Sequence, residues 1–224
     1  MALYRLDASI RVEGSHSRAL ADIVEREWAA GHPGAPVIRR DLGFDPIPAH
    51  AWPLAVQAQT APADPGPTRA QREAVALASH ETDQLLSAEA ALFAVPIYNF
   101  GVSQHFKTWV DLVNTDRRMA GEEPATAGTP AVLAVVRGGF YGLGSPREGW
   151  DHATGWMRRI LSEVWKLDLQ VVEEEFTLVG VNPALDQFQD MAVDLRAKAA
   201  QTARERGRTL GRREDRALES AGLR

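Results

Sequence analysis

Three short segments of the chain carry side chains able to hold a small polar molecule. The first runs from Ser9 to Ser17 and offers three hydroxyls, Ser9, Ser15 and Ser17, with Arg11 and His16 among them. Just behind it, Leu20, Ile23, Val24 and Trp28 recur at helical spacing. Free N–H groups of a helix's first turn point at a bound anion, and serine hydroxyls add donors. A terminal phosphate monoester suits that set. Plain helix capping by Ser15 or Ser17 would use the same residues. The second segment, Pro96-Ile97-Tyr98-Asn99-Phe100-Gly101, joins ring surface to a short amide. A planar heterocycle needs both, apolar faces for stacking and polar atoms for its edge; a core role for Phe100 is the alternative. The third is Arg137-Gly138-Gly139-Phe140-Tyr141. Its two glycines let backbone approach a flat ligand closely, or simply make a tight turn. Arg137 could balance an electron-rich ligand or pair with a surface carboxylate such as Glu148.

The elements around these segments explain why they would meet. Ala2 to Ala8 reads as a strand, and His32-Pro33-Gly34 stops the helix that follows it. Val37 to Asp41 is a second strand. A helix is expected over Arg69 to Ser87, with Val75, Ala78, Leu85 and Leu86 inward. Ala90 to Pro96 and Thr129 to Val136 are continuously apolar, as strands buried on both faces are. Phe106, Trp109, Val110 and Val113 mark a third helix. A fourth begins at Asp151 with Trp156, Met157, Ile160, Leu161, Val164 and Trp165 as its stripe. Leu169 to Phe176 is the fifth strand. Asn182-Pro183 then starts a last helix, with Phe188, Met191, Leu195 and Ala199 inward.

Five alternating strands and helices predict an α/β, flavodoxin-like three-layer sandwich. Its five-stranded parallel sheet would run in the order 2-1-3-4-5. Ligands of such sheets bind beyond the carboxyl ends of the strands, where all three segments fall. A phosphate end, a polar linker region and a flat ring together describe flavin mononucleotide (FMN). An adenine dinucleotide would need a second phosphate site. The chain has neither a G-x-G-x-x-G nor a G-x-x-x-x-G-K-[ST] fingerprint.

Composition narrows the remaining classes. The chain has 224 residues, 45% of them apolar, and a formal net charge of -5. That balance disfavours nucleic-acid binding. There are no cysteines, so thiolate, disulfide and Cys-ligated metal chemistry are excluded and redox work must fall to a cofactor. The histidines form no H-E-x-x-H arrangement, and no metal site is expected. Ser9 or Ser15 with His16 and Asp22 does not make a hydrolytic triad by adjacency alone. Arg5 and Asp7 interrupt the first apolar stretch, and no run is long enough for a membrane span, so a cytoplasmic location is expected. The domain is expected over 1–205, with a charged tail over 206–224 containing Arg206, Arg208, Arg212, Arg213 and Arg216. From Gly43 to Thr68 the prolines read as a long surface excursion, with one short helical turn supported by Ala55, Ala58 and Ala61, and as a candidate lid or pocket wall.

On these segments, with Lys107, Trp109 and Asp111, the sequence resembles the FMN-dependent NADH-azoreductase family, also described as NADH:quinone oxidoreductases. The resemblance extends to about residue 200. It implies a homodimer with FMN near the subunit interface. It also implies alternate use of NADH or NADPH and of a small aromatic or quinonoid acceptor. By position, Ser9, Arg11, Ser15, His16 and Ser17 would hold the phosphate. Pro96, Ile97, Tyr98, Asn99 and Phe100 would lie beside the ribityl chain and ring, and Arg137, Gly138, Gly139 and Phe140 along the ring's polar edge. No side chain is implied as acid, base or nucleophile. Three departures stand out: Ser103 where the family usually has proline, NTDRRMAGEEP in a segment that borders the family's substrate pocket, and Phe176 where a glycine commonly follows the acidic residue. A flavin-binding electron carrier and a non-catalytic relative of the same fold are the alternative readings.

Overall fold

In the computed structural model, residues 1–211 are described. Five parallel strands form the sheet: β1 (Leu3–Asp7), β2 (Val37–Asp41), β3 (Ala90–Tyr98), β5 (Pro130–Val136) and β6 (Asp168–Glu174). Their order is β2-β1-β3-β5-β6, the expected 2-1-3-4-5 arrangement. A sixth, two-residue strand, β4 (Gly101–Val102), folds back antiparallel on the end of β3.

Side-chain alternation divides the core between two faces. Along β3, Ala91, Phe93 and Val95 point to one face, and Ala90, Leu92 and Ala94 to the other. The first face carries α2 (Ala51–Gln59), α3 (Arg69–Leu86), α4 (Gln104–Val113) and α5 (Thr154–Arg158). Its centre is aromatic: Tyr4, Phe93, Phe106, Trp109 and Trp165 make edge and stacked contacts with ring centroids 5.4–6.3 Å apart. The second face carries α1 (His16–Gly31) and α6 (Gln189–Thr209).

Several expectations change in three dimensions. The proline-rich stretch contains α2, because Pro53 sits in its first turn, where the lost N–H would have no helical partner. Ala51 and Ala55 bury against the core, so α2 is part of the helical layer, and Ala58, Gln59 and Pro67 line a concavity separate from the strand ends. The fourth helix starts at Thr154 and passes into a π-type turn over Arg159–Val164, which leaves Val164 exposed. Val75 is likewise exposed on α3. On α6 the buried residues are Ala192, Ala199, Ala203 and Gly207, whereas Met191 is 46% exposed. Towards its C-terminal end α6 packs closely on α1: a Cβ on Gly207 would lie 2.5 Å from the Val24 carbonyl oxygen. Only small residues fit there. α6 continues through Arg206 to Thr209, and Arg208 pairs with Glu27 at 2.9 Å. The charged residues from 212 onward lie outside the described residues.

A buried ion pair ties the sheet edge to the aromatic layer. Arg40 Nε donates to both oxygens of Glu81 at 2.9 and 3.0 Å, and Trp109 Nε1 donates to the same carboxylate at 2.9 Å. Glu81 is 2% exposed. Removing Glu81 leaves the buried Arg40 with only the exposed Asp45 carboxylate, 3.2 Å away, and leaves Trp109 Nε1 without its acceptor. Glu81→Ala should therefore cost about 3–5 kcal/mol in urea unfolding, and the Arg40→Met, Glu81→Leu double variant distinctly less.

Candidate functional site

The loop after β1 is held from behind by one guanidinium. Arg18, in the first turn of α1, forks onto Asp41 with two bonds of 2.7 Å. It also donates to the Ser9 carbonyl at 3.0 Å and the Arg11 carbonyl at 3.1 Å. Gly43 completes the clamp, since a Cβ there would lie 1.9 Å from the Ser9 oxygen. The Asp41 bond raises the Arg18 pKa and keeps its charge fixed. Burial alone would raise the Asp41 carboxyl. The Arg18 bond and the Phe44 and Gly43 N–H groups outweigh burial and hold it below the usual range. Deeper in, Arg5 spans Asp7, Asp22 and Glu25 at 2.6–3.0 Å and anchors β1 to α1.

This clamp sets the serines around a helix start. Ser15 caps α1, its hydroxyl accepting from Arg18 N at 3.5 Å and lying 3.4 Å from the Ser17 hydroxyl. The Tyr98 hydroxyl reaches across from β3, accepting from Ile10 N at 3.2 Å and lying 3.4 Å from Ser9 Oγ. His16 Nδ1 is 2.7 Å from Glu174 Oε1 at the end of β6, and Arg196 Nε donates to that same oxygen at 3.2 Å.

Together the strand ends enclose a cavity of about 710 Å³, within the roughly 300–1,000 Å³ of small-molecule sites. Ser9, Arg11, Ser15, His16 and Ser17 line one side; Pro96, Ile97, Tyr98, Asn99 and Phe100 line the strand-β3 side; Gly138 and Gly139 lie on the β5 side. Arg147 and His105 also line it, and no carboxylate does. The hydroxyl- and cation-rich loop suits a phosphate monoester. The ring-bearing segment suits a planar conjugated system. The donor set therefore fits FMN.

Local backbone explains the Tyr98–Phe100 segment. Tyr98 and Gly101 pair across the β3–β4 hairpin, so Asn99 and Phe100 are its two central residues. Both have positive φ, 48° and 67°, as a two-residue primed turn requires. Asn tolerates that region; Phe does so at a cost, here against the cavity. The Phe100 ring is braced edge-on by Trp150 at 5.2 Å and Tyr141 at 6.2 Å, and the Arg147 guanidinium lies over it at 5.8 Å.

Arg137 and Phe140 are placed differently from the other candidates, for neither lines the cavity. Arg137 is buried and its charge is consumed within the protein. Its Nε donates to Asp151 at 2.7 Å, and its other nitrogens reach Thr154 at 3.0 Å and Glu173 at 3.3 Å. Phe140 stacks on Phe176 at 5.5 Å, and Phe176 stacks on Phe188 at 5.0 Å. That stack holds Phe176 at φ 58°, a left-handed conformation, at the position where the resemblance leads one to expect glycine. The glycines also serve neighbours: a Cβ on Gly138 would meet Leu178 Cδ1 at 2.7 Å, and one on Gly139 would meet Arg147 Nη1 at 2.7 Å. Ser103 is fully buried and donates to the Ala8 carbonyl at 3.3 Å, tying α4 to the end of β1. Arg117 and Arg118 line a separate concavity with Gln59, Arg72 and Ser79, and Met119 is buried in the core.

His105, Arg147 and Leu178 are cavity residues that no sequence pattern singled out. Position beyond a strand end is their only signal. Among the described residues no group of His, Asp and Glu could hold a metal ion, and no helix is long and apolar enough to cross a membrane.

A family model described as a flavodoxin-like fold matches residues 1–199. An FMN-dependent NADH:quinone oxidoreductase of Frankia alni is 36% identical over 207 residues, covering 91% of this chain and 97% of that protein. One from Streptomyces avermitilis is 33% identical over 216 residues, covering 94% and 97%. In three dimensions the chain is similar to an azoreductase from Bacillus anthracis, with a TM-score of 0.72 at 18% identity over 93% of this chain and 99% of that one. It is also similar to an FMN-dependent NADH-azoreductase of Bacillus anthracis in complex with FMN, with a TM-score of 0.65 at 15% identity over 90% and 99%.

The clamp can be tested apart from any ligand. Arg18→Met should speed amide exchange from Ile10 to Ser15 by more than about ten-fold while β3 and β5 stay protected. Because the Asp41 carboxyl is depressed, the clamp contributes fully above about pH 4 and is lost as pH falls below that value. The same amides should therefore loosen in the unsubstituted protein on acidification.

Proposed function

The chain belongs to the flavodoxin-like fold family, and on that premise we propose that it is an FMN-dependent NADH:quinone oxidoreductase of the azoreductase type. The observation that carries this reading is the cavity at the carboxyl edge of the sheet. It unites a serine-rich helix start, two ring-bearing strand ends and a lining free of carboxylates. Both named relatives cover nearly this whole chain and nearly their own full length.

FMN held there would supply the redox chemistry, between NADH and a quinone or azo acceptor. The chain's part is placement. Ser9, Ser15 and Ser17, with the first-turn N–H groups of α1, hold the phosphate end. Asn99 offers its amide to polar atoms of the cofactor from the strained turn. Ile97, Tyr98 and Phe100 present apolar surface that excludes water. Arg147 places an uncancelled cation beside Phe100. No side chain need serve as acid or base.

The active species is a homodimer. Ile10, which lines the cavity, and Trp150, packed on the Phe100 ring, are 65% and 48% exposed. A second copy would cover this apolar rim and narrow the opening to flat molecules. The acceptors are small quinones and azo compounds, with NADH as donor.

The purified protein should carry a flavin spectrum and release a molecule of FMN mass. NADH alone should bleach the flavin rapidly without oxygen, and a quinone should restore it. A protein that carries FMN yet resists NADH would be an electron carrier. A colourless protein that takes up no added FMN would overturn the proposal. Asn99→Ala should weaken FMN binding by about ten-fold with the fold intact, read by recovery of free-flavin fluorescence.

A further inference from the structure

We infer that Glu174 is a positioning residue for the phosphate end of the cofactor, acting through His16; this rests on the FMN reading above. Glu174 does not line the cavity and is 3% exposed. Its Oε1 lies 2.7 Å from His16 Nδ1, whereas His16 does line the cavity beside Ser15 and Ser17. An ionised carboxylate only accepts hydrogen bonds, so the nitrogen facing it carries the hydrogen. The ring is thereby fixed by one nitrogen, and Nε2 is left for a ligand. As an imidazolium the ring donates at both nitrogens, to the carboxylate behind and to a phosphate oxygen in front.

The charges around the ring fit that bridging role. Arg196 on α6 donates to the same Glu174 oxygen at 3.2 Å, which keeps the buried carboxylate compensated while the cavity is empty of ligand charge. Arg11 contributes a further cation from the loop itself. Three serines alone would offer neutral donors. Glu174 lets the loop add an imidazole whose direction is fixed from behind, while Arg196 meets the carboxylate's own charge. Its backbone role is separate, because its carbonyl accepts from Arg137 N at 2.8 Å whatever the side chain.

The test compares FMN with riboflavin, which lacks the phosphate. Dissociation constants are read by flavin fluorescence on apo-protein for wild type, Glu174→Gln, Glu174→Ala, His16→Ala and the His16→Ala, Glu174→Gln double variant. Both Glu174 variants should weaken FMN by about ten-fold and leave riboflavin within about two-fold. With His16 already removed, Glu174→Gln should add nothing. Unchanged FMN affinity, a parallel loss for riboflavin, or an additive loss in the double variant would each overturn the inference. If wild type binds FMN and His16→Ala weakens it while Glu174→Gln is silent, the positioning role alone fails. If wild type takes up no FMN, the cofactor reading fails and this inference with it.

Discussion

The clamp of Arg18 on Asp41 and on two loop carbonyls is the interaction on which the site depends. Loop backbone beyond a strand end has no ladder to satisfy it, and here a side chain substitutes for one. Five donors in a fixed fork can meet a carboxylate and two carbonyls at once, which a lysine could not do. The pair also joins α1 to β2, on the far side of β1 from β3. The loop is thus set by the same contacts that set the sheet edge.

Strain and support are distributed in a consistent way around the cavity. Asn99, Phe100 and Phe176 hold positive φ without being glycine, and each phenylalanine is braced by neighbouring rings. Arg5, Arg40 and Arg137 are buried and fully engaged with carboxylates. Arg11 and Arg147, by contrast, keep their charges on the cavity side. Burial thus separates the arginines that build the scaffold from those left for a ligand.

The strand order and the meeting of the three loops were legible because they follow from composition. Apolar runs such as PAVLAVV must be buried on both faces, and parallel strands end on the same side. Less was legible where partners come from afar. Arg137 looks like a ligand residue in sequence, yet Asp151 and Glu173 arrive from other elements to neutralise it. The run of prolines over 43–68 allowed only one short helical turn around Ala55 and Ala58, whereas α2 spans Ala51–Gln59, since Pro53 falls in its first turn and does no harm there. Helical spacing placed Met191 inward, yet the neighbouring Ala192 is the residue that packs, against Phe176 and Val179. The pairing of His16 with Glu174 spans 158 positions, and no local pattern could reveal it.

The carboxylate-free cavity sits in a chain whose formal net charge is -5. An anionic molecule therefore approaches against the far field of the whole protein, which ionic strength weakens beyond a Debye length of about 8 Å. Attraction begins only at the mouth, where Arg11 and Arg147 line the cavity. Capture is then a short-range event governed by cellular salt more than by long-range steering.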